Sequence, residues 1–310
     1  MKKTGLSRRF FLKGAGVIAA MPFLPQVTLA DELAYSTPGN ASVKVLTCNI
    51  RVALPEDDAA GVGWASRRKL CVEVIRKQKA DIICMQEVLG VQNEDLKKDL
   101  PGYFSFGFEG PEMDKFAEGY HGIAKNPVFF SLKRYELISA GGYWLSETPL
   151  VAGSLSWDTA RARNANWVRL KDKKTGKQLR VVNLHLDHKS QPAREKQVEI
   201  VLDDADQYLP ALPQIFTGDF NVSSANKVYQ MVVSRGWSDT FKAIAGNVEA
   251  ATTHEFLGEK DPKKDSRKKI DFIFTKGDFK VLESEIIRDN DKGIYPSDHY
   301  FVSAVIESLA

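Results

Sequence analysis

The sequence predicts an α/β fold in which two packed, mixed β-sheets carry helices on their outer faces. Three observations support this reading. Apolar runs of strand length recur at 43–49, 81–87, 126–130, 137–145, 165–171, 178–185, 213–221, 269–274 and 297–306. Longer segments with helical spacing lie among them, at 64–79, 194–209 and 225–235. The strands between 126 and 185 follow one another with no helix between them. That order argues against a doubly wound nucleotide-binding sheet and suits hairpins stacked as a sandwich.

Taken in order, residues 1–30 read as an export signal. Ser7-Arg8-Arg9-Phe10-Phe11-Leu12-Lys13 holds a twin-arginine pair, an apolar stretch runs from 14 to 24, and small residues lead to Ala30, the expected cleavage point. Pro22 and Pro25 interrupt the stretch, which favours a removed signal over a retained membrane anchor. The expected partner is therefore the twin-arginine export machinery, and the expected location is periplasmic or secreted. No stable protein partner is evident. Residues 31–42 form a polar linker, and 43–310 have the length of one large domain. In that domain Leu70, Val74 and Ile75 form the apolar stripe of the first helix, and a Thr175-Gly176 turn joins strand 165–171 to strand 178–185.

Charge narrows the function classes. Five of the 43 basic residues and none of the 40 acidic ones fall in the first thirty positions, so the net charge of +3 becomes about −2 without them. Such a chain lacks the basic excess of a non-specific nucleic-acid binder. The local clusters at 171–177 and 260–269 read as solvated turns. Cys48, Cys71 and Cys84 are odd in number and have no zinc spacing, and they read as small buried hydrophobes.

The chemistry sits where strands end. Gly218-Asp219-Phe220-Asn221 sets a carboxylate and an amide two residues apart, hence on one face of an extended segment. Ser297-Asp298-His299 places a second carboxylate beside an imidazole. Glu87 closes the Ile-, Cys- and Met-rich strand 81–87 and is the first candidate metal ligand, with Asn49 and Asp298 as companions. Oxygen donors without thiolates favour Mg²⁺ or Mn²⁺, with Ca²⁺ also compatible. Asp219 is the candidate base that deprotonates the attacking water, and Asn221 holds the water or a phosphate oxygen. His185 and His299 are expected to flank the phosphorus and stabilise the transition state. Arg163 and Asn183 are the expected substrate contacts. His185 shares a strand face with Asn183 and Asp187 but not with His188, which disfavours a His185–His188 zinc clamp and leaves His188 a structural hydrogen bond. Together these groups suit a metal-dependent hydrolase of phosphate esters.

In chain order Thr47-Cys48-Asn49-Ile50-Arg51, Asp81-Ile82-Ile83-Cys84-Met85-Gln86-Glu87, Asn183-Leu184-His185-Leu186-Asp187-His188, Gly218-Asp219-Phe220-Asn221, Ile270-Asp271-Phe272-Ile273 and Pro296-Ser297-Asp298-His299 resemble the motifs of the endonuclease/exonuclease/phosphatase superfamily. The segments Trp64…Arg67-Arg68, Trp144-Leu145-Ser146-Glu147-Thr148-Pro149 and Arg163…Trp167 resemble a small bacterial branch of it. The resemblance implies a deoxyribonuclease I-like, four-layer α/β sandwich and a metal-dependent phosphodiesterase acting on a lipid head group, nucleic acid or small ester. A degenerate member that binds a phosphorylated ligand without hydrolysing it is the alternative. It also implies that Asp271 pairs with His299. The chain departs from the family in one place: relatives carry Gly-Glu-Tyr before a Pro-Ile-Phe-Tyr-like strand, whereas Ile123-Ala124-Lys125 stands here before 126–130. Either Glu118 reaches the site through a longer turn to support His185, or that support is missing. Inositol polyphosphate phosphatases carry Trp-Cys-Asp-Arg where this chain has Lys268-Lys269-Ile270-Asp271, so their Cys and Arg are absent.

Overall fold

A computed structural model describes residues 42–114 and 123–308. The expected export signal, nearly all of the expected linker and Glu118 lie outside the described residues. Twelve strands are described: β1 (Ser42–Asn49), β2 (Ile82–Gln86), β3 (Tyr103–Phe106), β4 (Val128–Ser131), β5 (Tyr135–Trp144), β6 (Asn164–Asp172), β7 (Gln178–His185), β8 (Gln214–Asp219), β9 (Ser238–Asp239), β10 (Asp271–Lys276), β11 (Phe279–Ile287) and β12 (Phe301–Ser308). They form two six-stranded sheets, ordered β11-β12-β1-β2-β4-β3 and β5-β6-β7-β8-β10-β9. Each sheet has one parallel pair, β1/β2 and β7/β8, and is otherwise antiparallel. A parallel pair needs a crossover, and the helices Trp64–Gln78 and Gln191–Ala205 supply it on the outer faces.

Strand alternation sorts the core into layers. Leu46 and Cys48 of β1 and Ile83 and Met85 of β2 pack outward against Cys71, Val74 and Ile75 of the first helix. Val182, Leu184, Phe216 and Phe272 pack outward against Val198, Val201 and Leu202 of the other. The opposite faces meet between the sheets through Val43, Val45, Ile82, Cys84, Val181, Ile215 and Ile273. Cys48 and Cys84 thus face opposite sides of one sheet, and all three thiols are free and buried. Burial pushes the Cys71 and Cys84 thiols up to about 12, so they are inert as nucleophiles.

Several boundaries differ from the sequence expectation for local reasons. The second long helix starts at Gln191 because the Ser190 hydroxyl caps it by accepting from Ala193 N, with Pro192 in the first turn. Strand β12 starts at Phe301, since Ser297–His299 is a loop whose side chains are spent on hydrogen bonds. The helix Gly90–Asp99 and strand β11 were not expected. The alternating sequence Phe279-Lys280-Val281 and the partner β12 identify β11 in hindsight.

The inter-sheet face changes character along its length. Val45 is followed on that face by Thr47 and Asn49, Cys84 by Gln86, Val181 by Asn183 and His185, and Ile215 by Thr217 and Asp219. Gln86 Nε2 donates to Thr47 Oγ1 (3.0 Å) and Asn183 Oδ1 (2.7 Å), and Thr217 Oγ1 donates to the same Asn183 oxygen (3.2 Å). Asn183 Nδ2 donates to the carbonyls of Met85 (2.7 Å), Asn126 (3.2 Å) and Pro127 (3.2 Å). A buried polar layer therefore separates the apolar core from one edge of the sandwich. Asn183→Ala removes all five of these side-chain hydrogen bonds from the buried layer and should cost about 3 kcal/mol of stability, read as a lowered urea midpoint at unchanged slope.

Candidate active site

Strands β1, β2, β7 and β8 end, and β10 begins, at that polar edge, beside the loop that precedes β12. Asn49, from the first sheet, donates its amide to Asp219 Oδ2 of the second at 3.0 Å, while its Oδ1 accepts from Arg51 N at 3.0 Å. Gly218 carries φ +151°, and a Cβ there would stand 2.2 Å from Leu184 O, so only glycine lets β8 lie this close to β7 just before Asp219. Arg51, Glu87 and Asn221 adopt left-handed backbones (φ +58°, +63° and +52°). Such turns, unfavourable by about 1 kcal/mol for a residue with a Cβ, end the strands and aim these side chains along the cleft.

Arg67 staples the loops on either side. Its buried guanidinium donates to the carbonyls of Ile50, Arg51 (2.5 Å), Val62 (3.0 Å) and Pro296 (3.1 Å). Ser297 adds a hydroxyl bond to Asn49 O at 2.7 Å. The resulting cleft has a volume of about 510 Å³ and is lined by Glu87, Asp219, Asn221, Asp298, His185 and His299, with Arg51, Arg161, Arg163 and His188 around them.

Electrostatics divides the acids into roles. Burial would raise the Glu87 pKa, but the charge of His299, the Val52 N–H (3.0 Å to Oε2), Arg51 and Asn49 outweigh it and hold the carboxylate below its usual range. Burial and then the charge of Asp271 push Asp219 up to about 7. Burial raises Asp298, only partly offset by His299 and by Arg51, whose Nη1 lies 3.3 Å away. Burial alone would depress His299, but Asp271 accepts from its Nδ1 at 3.0 Å and lifts it well above its ordinary value. The imidazolium therefore persists at neutral pH with Nε2–H directed toward Asp219 Oδ2, 3.9 Å away.

His185 behaves in the opposite way. Burial, then the field of Arg163, lowers its pKa well below normal, so the ring is neutral. Asn221 Nδ2 donates to His185 Nε2 (2.9 Å) and to Leu186 O (3.1 Å), so Nε2 is an acceptor. The proton then sits on Nδ1, buried with no partner among the described residues. His185 thus orients Asn221, whose backbone N–H also donates to Asp219 Oδ1 at 2.9 Å, and its Nε2 lies 3.4 Å from Asp219 Oδ2.

Other expectations fare unevenly. Glu87, Asn49, Asp298, Asp219, Asn221, Asp271 and His299 come together, and Arg163 lines the same cleft. Asn183 does not. It is fully buried with its amide committed to the polar layer, so it supports the strands from beneath the cleft and cannot contact a substrate. His188, expected to make only a structural bond, stands on the cleft wall 3.2 Å from Arg163. Arg51, Arg67 and Arg161 carry no signal of a role in the sequence, because spacing does not reveal which arginines fold inward.

Two oxygen-bearing sets are candidates for a divalent cation. Ligand atoms of Asp219, Asp271 and His299 lie within 4.8 Å of one another. In that set, however, the imidazole Nδ1 and an Asp271 oxygen already satisfy each other. Glu87 with Asn49 and Asp298 offers hard oxygen donors, one of them an acid held ionised. This second set fits Mg²⁺ or Mn²⁺ chemistry better.

Residues 46–299 match the model of the Endonuclease/Exonuclease/phosphatase family. An endonuclease/exonuclease/phosphatase from Bacteroides vulgatus is 30% identical, with TM-score 0.77 over 86% of this chain and 99% of that one. A Bacteroides thetaiotaomicron mannosyl-6-phosphatase is 27% identical, with TM-score 0.74 over 85% and 99%. An uncharacterised protein of Acanthamoeba polyphaga mimivirus is 27% identical over 150 residues, 44% of this chain and 22% of its own length.

The His299–Asp271 pair has a pH signature. Because the folded His299 value lies above the ordinary 6.5, its contribution to stability is complete below 6.5 and is lost as pH rises through the raised folded value. Asp271→Asn should therefore lose most stability relative to wild type near pH 6, with the gap closing toward alkaline pH, as urea unfolding across a pH series will read.

Proposed function

Because the chain belongs to the endonuclease/exonuclease/phosphatase family, we propose that it is an exported, divalent-metal-dependent hydrolase of phosphate esters. One observation supports this most: an ionised carboxylate, a buried carboxylate tuned to about 7 and an imidazolium held by a third acid all face one cleft.

Glu87, Asn49 and Asp298 would hold Mg²⁺ or Mn²⁺. When bound, the cation supplies Lewis-acid stabilisation of a phosphoryl oxygen. Asp219, fixed by Asn49 and by the Asn221 N–H, accepts the proton of the attacking water. A value near 7 matches a base that must be ionised at rest and still take a proton. The water oxygen bonds to phosphorus as the ester P–O bond breaks, and the departing oxygen takes a proton from solvent. His299, kept protonated by Asp271, donates to the charge that develops on the phosphoryl oxygens. Asn221 presents its amide from an orientation set by His185. The phosphatase named above, 27% identical, acts in keeping with a phosphoester substrate. The twin-arginine pattern at Arg8-Arg9 supports a periplasmic or secreted setting.

Purified protein should hydrolyse generic p-nitrophenyl phosphate esters with Mg²⁺ or Mn²⁺ and stop in EDTA. Asp219→Asn should lower kcat at least about 1,000-fold with the fold intact. Equal turnover by wild type and this variant defeats the assignment.

A further inference from the structure

Arg163 closes the loop that enters β6 and is only 8% exposed. Its Nη2 lies 3.2 Å from His188 Nδ1, its Nε is buried without a partner, and no carboxylate stands within ion-pair reach among the described residues. Asp187, the neighbouring acid, accepts from the backbone N–H groups of Ala160, Lys189 and Ser190. A guanidinium has no acceptor, so His188 Nδ1 must accept. His188 is then neutral and carries its proton on Nε2, free to donate elsewhere. Burial, then the charge of Arg163, lowers the His188 pKa in agreement. Arg161 lines the same cleft, as do His299 and Asn221.

A buried guanidinium without a counter-charge is costly, and a cleft-lining one is relieved when a ligand brings the charge. We propose that Arg163, with His188 Nε2–H and Arg161, clamps the third oxygen of a terminal phosphate, so that the substrate class is the phosphomonoester. A monoester offers three terminal oxygens and two charges. A diester offers two oxygens and one charge, with a carbon-bearing oxygen where the third would stand. That cap would press neutral carbon toward Arg163 and leave its charge uncompensated. This departs from the phosphodiester that the family resemblance implies, and it rests on the hydrolase reading of the same cleft.

The test compares p-nitrophenyl phosphate with methyl p-nitrophenyl phosphate, which share a leaving group and differ by one methyl cap. Wild type should prefer the monoester in kcat/KM, and Arg163→Met should shrink that preference about 100-fold. With its unpaired charge removed, the ligand-free variant should also melt higher than wild type. Equal losses on both esters overturn the clamp. So does a variant that melts lower or fails to fold, since Arg163 would then be structural. If wild type cleaves neither ester, the hydrolase reading fails and the clamp is read by binding. Inorganic phosphate should then protect wild type from thermal unfolding better than dimethyl phosphate does, and should lose that advantage in Arg163→Met. No difference between the two anions overturns it.

Discussion

Two hydrogen bonds between the sheets hold the site together. Asn49 reaches from the first sheet to Asp219 in the second, and His299, leading into β12 of the first, reaches to Asp271 in the second. Neither sheet alone carries a complete set of groups. The relative placement of the sheets therefore decides how far Glu87, Asn49 and Asp298 stand from Asp219. Burial makes these bonds directional, because each group would otherwise lack a partner away from water.

The polar layer beneath the cleft explains how such an edge survives. Unpaired amides between two sheets would be expensive, but Gln86, Thr47, Asn183 and Thr217 largely satisfy one another and the nearby carbonyls. The layer also fixes register. A one-residue slip of any of these strands would move its polar residue to the helix-facing side and bring an apolar one into the network. Arg67 and Ser297 do comparable work for the loops, tying the ends of two distant segments to one another through carbonyl oxygens. The cleft is thus pinned at its floor, while on its wall Arg163 has no carboxylate within ion-pair reach among the described residues.

Much of this is legible in the sequence. The order of apolar runs gave the strands that carry the site, and the residue types at their ends gave its chemistry, because alternation and strand termination are local properties. Glu87, Asp219, Asn221, Asp298 and His299 all sit where that reasoning put them. Asn183 did not follow, since sharing a strand face with His185 says nothing about depth, and two residues of rise separate the cleft floor from the buried layer. The helix Gly90–Asp99 escaped because its sequence is mostly polar and its start has no Ser, Thr, Asp or Asn cap.

The sequence by itself determined which chemistry the protein could carry: oxygen donors, two histidines and several carboxylates spaced for strand ends. Tertiary structure alone decided how those groups are charged. His185 and His299 are the same residue type at neighbouring places in one cleft, yet one is neutral and accepts from Asn221 while the other is a cation held by Asp271. The physical reason is that a pKa depends on burial and on charges arriving through space from distant parts of the chain, and neither is encoded in local spacing.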